Sequence, residues 1–250
     1  MAGLLRNRRR RRLRATPLPD AWRAILAANV PLHARLPEDR RRELEGHIQV
    51  LLDEKHFEGS AGLEITDEIR VTIAAHAALL LLGGEPSYYP GLETILVYPS
   101  AYVAPVEEHE PGGIVTEGEE ERLGESWGSG VVVLAWDEAL HGARDARDGE
   151  NVILHEFAHQ LDEEDGTSDG TPYLQSRGRY RAWARVLGAE LAALRADPGR
   201  GVLDSYGAEN PAEFFAVATE AFFETPEALR LRHPELYAEL SALYGLDLAR

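Results

Sequence analysis

The sequence predicts an α+β domain, with helices around a small mixed sheet, and three observations carry that prediction. Residues 66–82 form a long apolar stretch with helix signals at both ends. Two short runs, 94–98 and 130–136, are β-branched and bounded by Gly or Pro. A second apolar stretch, 150–162, holds neither Gly nor Pro and carries two histidines four residues apart. The chain has 250 residues, enough for one large domain or two small ones. No boundary shows after residue 18, so 19–250 reads as one domain behind a basic disordered tail, 1–18.

The tail holds seven arginines in its first fourteen residues (Arg6, Arg8, Arg9, Arg10, Arg11, Arg12 and Arg14) and no acid. The whole chain carries −17, so the remainder is more acidic still, about −24. An acidic body disfavours nucleic acid as the main partner. The arginine run reads first as a solvated tail, then as a tether to nucleic acid or an anionic membrane. An export signal would need an apolar segment next, and 15–22 is not one. No segment is long and apolar enough to suggest a transmembrane helix. The absence of cysteine removes disulfides and thiolate metal sites and fits a cytoplasmic location.

From Asp20 to about Phe57 the pattern is helical, interrupted at Pro31 and Pro37. The 66–82 helix takes Thr66 or Asp67 as its cap and stops at Gly83-Gly84. It is apolar almost all round and so belongs in the core. His76 within it reads as a satisfied core histidine rather than a ligand. Residues 94–98 and 130–136 are the strands, and 105–125, rich in Glu, Gly and Pro, reads as an exposed loop. Residues 142–149 form a charged connection. After the 150–162 helix come a polar loop at 163–171, a helix at about 180–195, a loop at 196–209 and a Phe-rich helix opened by Asn210-Pro211. A last helical stretch is punctuated by Pro226 and Pro234.

His155-Glu156-Phe157-Ala158-His159 is the most informative motif. Residues four apart share one helix face, so His155 and His159 can grip one metal ion together. Glu156 then sits beside the ion, placed to take a proton from the attacking water and pass it to a leaving amine. The spacing points to a zinc peptidase with one Zn2+ per chain and a peptide substrate. Two unpaired histidines on a buried helix would otherwise be costly.

A catalytic zinc takes three protein ligands. A third histidine six residues after His159 would fall at Asp165, which excludes that ligand pattern. Glu213, on the 211–224 helix, is the best candidate. With Asn210 as cap it also fits a capping box. Glu220 and Glu224 compete with it, or could accept a hydrogen bond from a metal-bound histidine, as could Asp162. Tyr206 reads first as a surface-loop aromatic. If Glu213 binds the metal, its loop passes close by and the phenol can donate to an oxyanion. The strand at 130–136, flanked by Trp127 and Trp136, could offer a sheet edge to an extended peptide, although such aromatics more often belong to a core.

Several segments together resemble the Mlc titration factor A (MtfA) family of metallopeptidases. They are Glu64 to Glu68, Leu96 to Ser100, Ser126-Trp127 with Val133 to Trp136, His155 to Asp162, and Tyr206 with Asn210 to Val217. The resemblance implies a zincin-like fold, similar to the catalytic domain of anthrax lethal factor. It implies His155, His159 and Glu213 as zinc ligands, Glu156 as general base and Tyr206 as a catalytic residue. It implies an aminopeptidase on small substrates and, in an enterobacterial member, binding of the glucose repressor Mlc. The arginine run lies outside that family pattern, and residues after 225 fit it loosely. A regulatory protein that sequesters a transcription repressor, with the metal only structural, is the alternative class.

Overall fold

The computed structural model describes residues 2–110, 114–122, 124–127, 130–198 and 201–249. Four helices come first: α1 (Ala2–Ala15), α2 (Asp20–Asn29), α3 (Pro31–Arg35) and α4 (Glu38–Glu54). Pro31 and Pro37 separate the last three, since proline has no amide to continue a helix but fits its first turn. Strand β1 (His56–Gly59) follows, then α5 (Asp67–Leu79). Thr66 caps α5 by accepting from the Ile69 amide, and ten of its residues are buried, as its all-round apolar sequence predicts. His76 is buried in it, with its Nδ1 2.9 Å from the Thr72 carbonyl. Among the described residues its Nε2 has no partner, so only one ring nitrogen is satisfied. Burial pushes its pKa down to about 4 and keeps it neutral.

The strands are β2 (Thr94–Tyr98), β3 (Tyr102–Glu110), β4 (Ile114–Arg122), β5 (Gly124–Trp127) and β6 (Val131–Ala135). The main sheet has the order β1-β2-β6-β5. Its first three strands are parallel, with Ile95 opposite Val132 and Val97 opposite Leu134, and β5 runs antiparallel to β6. The sheet is therefore small and mixed. Its middle strands bury Ile95, Val97, Val132 and Leu134 completely or nearly so.

The stretch read as an exposed loop at 105–125 is instead mostly the antiparallel pair β3–β4. Antiparallel pairing satisfies backbone groups whatever the side chains are, so a Glu-rich composition does not prevent it. Residues 111–113 and 123 of that stretch lie outside the described residues.

Helix α6 (Trp136–Arg144) begins where β6 ends, so Trp136 opens a helix rather than closing a strand, and 142–149 is only partly a connection. Trp136 packs on the core, while the Trp127 side chain lies outside the described residues. Then come α7 (Val152–Asp162), a short 3-10 turn at Glu163–Asp165, α8 (Arg177–Ala196), a second 3-10 turn at Ser205–Ala208, and α9 (Pro211–Glu224). Helices α10 (Pro226–Arg232) and α11 (Pro234–Tyr244) follow. The core is aromatic around α9: Phe215 meets Trp183 of α8 edge-on at 5.6 Å, and Phe222 and Phe223 surround Tyr244.

The arginine run differs most from its sequence reading. It is α1, laid along α4, with Arg9 on Asp53 and Arg10 on Glu54. The acids of α4 are the partners that the run alone could not reveal. Among the described residues no helix is long and apolar enough to cross a membrane.

Candidate metal centre

Helix α7 is fixed before its histidines begin. Asn151 caps it, accepting from the Leu154 amide at 3.1 Å. Ile153, Leu154, Phe157 and Ala158 are buried, and Phe157 meets Tyr89 edge-on at 5.0 Å. That burial sets the rotation of the helix. It leaves His155 and His159 one turn apart on the same face, with Nε2 atoms 3.2 Å apart.

Helix α9 brings the third group. Asn210 caps it, accepting from the amides of Ala212 at 2.9 Å and Glu213 at 3.0 Å, and Pro211 occupies the first position. The Glu213 carboxylate reaches both histidines: Oε2 lies 3.0 Å from His155 Nε2 and 3.3 Å from His159 Nε2. His155, His159 and Glu213 thus form the one three-residue group among the described residues arranged to hold a metal ion.

The donor set fits a tetrahedral ion. Bonds of about 2.0–2.1 Å at tetrahedral angles require edges of about 3.3 Å between ligand atoms, close to the 3.0, 3.2 and 3.3 Å found. The hydrogen bonding agrees. Glu220 Oε1 lies 2.7 Å from His155 Nδ1, so Nδ1 can donate to Glu220 while Nε2 offers its lone pair to an ion. Among protein groups alone, burial lowers the His155 pKa, but Glu213 and Glu220 outweigh it and raise it to about 10. Burial likewise works against ionisation of Glu213, yet the two histidines hold it down to about 2. Both shifts express one demand, for positive charge between these side chains. A proton on His155 Nε2 meets one of the two His–Glu213 contacts, whereas an ion between the three atoms meets all of them.

Further buried carboxylates stand behind the triad. Glu220 also accepts from the Asn151 amide at 2.5 Å. Glu224, which competed with Glu213 in the sequence, is not at the histidines. It accepts from Asn151 Nδ2 at 2.9 Å and from the Gly149 amide at 3.1 Å. The result is a continuous link from Glu224 through Asn151 and Glu220 to His155. Asp162 closes α7, three residues after His159. Its oxygens accept from the amides of Gly170 at 2.8 Å and Thr171 at 2.6 Å, so it ties down the loop after α7. Gly170 has φ +76, and a Cβ there would meet the Pro211 carbonyl oxygen at 2.2 Å, so this loop seats against the start of α9 only with glycine.

Glu156 is only 5% exposed. Burial raises its pKa to about 7, despite the opposing pull of His155 and His159. A carboxyl poised there can both accept and return a proton near neutral pH. Tyr206 is 48% exposed, on the turn just before α9, with its ring 6.0 Å from that of His155. The structure therefore brings His155, Glu156, His159, Tyr206 and Glu213 to one place. Strand β6 lies between β2 and β5, so the 130–136 run has no free edge, and the sheet edge on this side is β5. The sequence reading missed the cap at Asn151, although an Asn directly before an apolar helical run is the usual sign of one.

Residues 5–245 match the family described as glucose-regulated metallo-peptidase M90. The chain is 41% identical over 243 residues to an uncharacterized protein of Synechocystis sp., covering 96% of this chain and 88% of that one. It is 33% identical over 229 residues to proteins called Mlc titration factor A from Yersinia pestis and Yersinia pseudotuberculosis, covering 88% of this chain and 83% of theirs. The family match takes in most of α1 and the region after 225, both of which the sequence reading set apart.

Proposed function

The chain belongs to the glucose-regulated metallo-peptidase family M90, and from that premise we propose that it is a zinc-dependent peptidase of aminopeptidase type with a zincin-like fold. The observation that carries the proposal is the convergence of His155 Nε2 and His159 Nε2, from the helix that also holds Glu156, with Glu213 Oε2 from α9. His155, His159 and Glu213 would hold the ion. Zinc bound there supplies Lewis-acid chemistry, lowering the pKa of a water toward neutrality and polarising a carbonyl. Glu156 takes the proton from the attacking water and later gives it to the leaving amine. The Tyr206 hydroxyl donates a hydrogen bond to the carbonyl oxygen as negative charge develops on it. Glu220 keeps the His155 proton on Nδ1.

The test measures zinc content and hydrolysis of an alanine aminopeptidase substrate in wild type and Glu156→Gln. About one zinc per chain in both proteins, with activity only in the wild type, supports the reading. Zinc in both and activity in neither counts against a peptidase, and no zinc in either removes its basis.

The name of the Yersinia relatives, Mlc titration factor A, favours a second reading, in which the chain sequesters a transcription repressor. Capture of that repressor by both the wild type and Glu156→Gln would support it, because binding does not need the general base.

A further inference from the structure

The peptidase reading makes no use of α1. One face of that helix is docked on the body. Arg10 bonds both carboxylate oxygens of Glu54, at 2.7 and 2.6 Å, and its guanidinium lies 4.3 Å over the Tyr88 ring. Arg9 bonds Asp53 at 2.6 Å, Leu13 packs on the core, and the Arg14 backbone crosses α4 at Gly46. These contacts fix which residues face outward. Leu4, Arg8, Arg11 and Arg12 fall along the opposite stripe, with Leu5 beside it. Leu4 is 77% and Leu5 68% exposed. Among the described residues Arg6, Arg8, Arg11 and Arg12 have no acid at salt-bridge distance, although the rest of the chain is strongly acidic.

We propose that the outward face of α1 docks the protein on an anionic lipid bilayer. Unpaired arginines seek an anionic surface, and two adjacent exposed leucines seek an apolar phase; a bilayer interface offers both together. Nucleic acid would meet the charges alone, and α1 carries no aromatic side chain to stack on a base. The charge distribution also orients the molecule, with α1 toward the anionic headgroups and the acidic body away from them.

The test is co-sedimentation of the full chain with vesicles of phosphatidylcholine alone and of phosphatidylcholine with phosphatidylglycerol. Binding is expected only to the anionic vesicles and weakens as salt rises. The triple variant Arg8→Gln, Arg11→Gln, Arg12→Gln spares the docked arginines and should weaken binding by about tenfold or more. Leu4→Gln with Leu5→Gln should also weaken it, and the loss should remain at high salt. Equal binding to neutral vesicles, or wild-type binding by the triple variant, would overturn the proposal. So would tighter binding to duplex DNA than to vesicles, unaffected by the leucine pair. Circular dichroism and metal content report whether each variant is folded. No substituted residue touches the metal centre, so this proposal and the peptidase reading fail independently.

Discussion

At the residue scale the strongest demand falls on Tyr206. It stands beside the His155 ring, is half exposed, and holds none of the three ligand atoms. Its removal should therefore leave the metal in place and weaken only the developing oxyanion. Tyr206→Phe is expected to lower kcat by roughly ten- to a thousandfold with KM and zinc content little changed; a fully active variant would sink the role. How legible such residues are depends on how local their signal is. His155, Glu156 and His159 follow from spacing within one helix. Glu213 did not, because a ligand from a separate helix leaves no mark on the sequence beyond an acid at a plausible distance, and Glu220 and Glu224 shared that mark. The structure separates the three by reach: Glu213 to the Nε2 atoms, Glu220 to Nδ1, and Glu224 to the helix cap.

At the element scale α7 depends on the residue that caps it. Asn151→Ala removes a cap, worth about 1 kcal/mol, and strips Glu224 of a buried hydrogen bond, worth about another. A loss of about 2 kcal/mol in urea unfolding is the expected result, and an unchanged midpoint would mean that α9 holds α7 without the cap. Glu224 adds a pH dependence. Its pKa is pushed up to about 9, chiefly by burial and further by Asp148, whereas the unfolded chain titrates near 4.3. Between those values the folded state holds the extra proton, so this contribution to stability falls as pH rises and is spent above 9. Subtracting the Glu224→Gln stability profile from that of the wild type should expose this slope. A flat difference would show the carboxyl already ionised in the fold. Helices α5, α7, α8 and α9 were legible because caps and periodicity are local. Strand β1, the β3–β4 pair and α6 were not. His56–Gly59 is too short to carry a pattern, and pairing between strands depends on partners far along the chain.

At the scale of the whole molecule the candidate metal centre joins parts that the sequence keeps far apart. α7 and α9 meet through a cluster of buried or half-buried carboxylates, Glu156, Glu213 and Glu220, around two histidines. Neither the parallel order of the sheet nor the contact between these helices could be read locally, which is why the sequence yields the class of fold and the motif but not their union. That union has a thermodynamic consequence. An ion that binds only the folded arrangement stabilises all of it, by about 2.7 kcal/mol when free zinc is a hundredfold above its Kd. For a chain of this size such a gain raises Tm by about 5–10 °C. Chelation of the zinc-loaded protein should therefore lower Tm by about that amount and abolish hydrolysis, and added zinc should restore both. His159→Ala should show no zinc-dependent shift, because the remaining His155 and Glu213 hold an ion too weakly to select the folded state. If chelation abolishes activity while leaving Tm untouched, the ion does not discriminate the folded chain from the unfolded one, and the triad is not a selective site. If Tm falls and His159→Ala is immune, the ion binds through His155, His159 and Glu213 and binds only where the fold has brought them together, so the free energy of binding adds to that of folding.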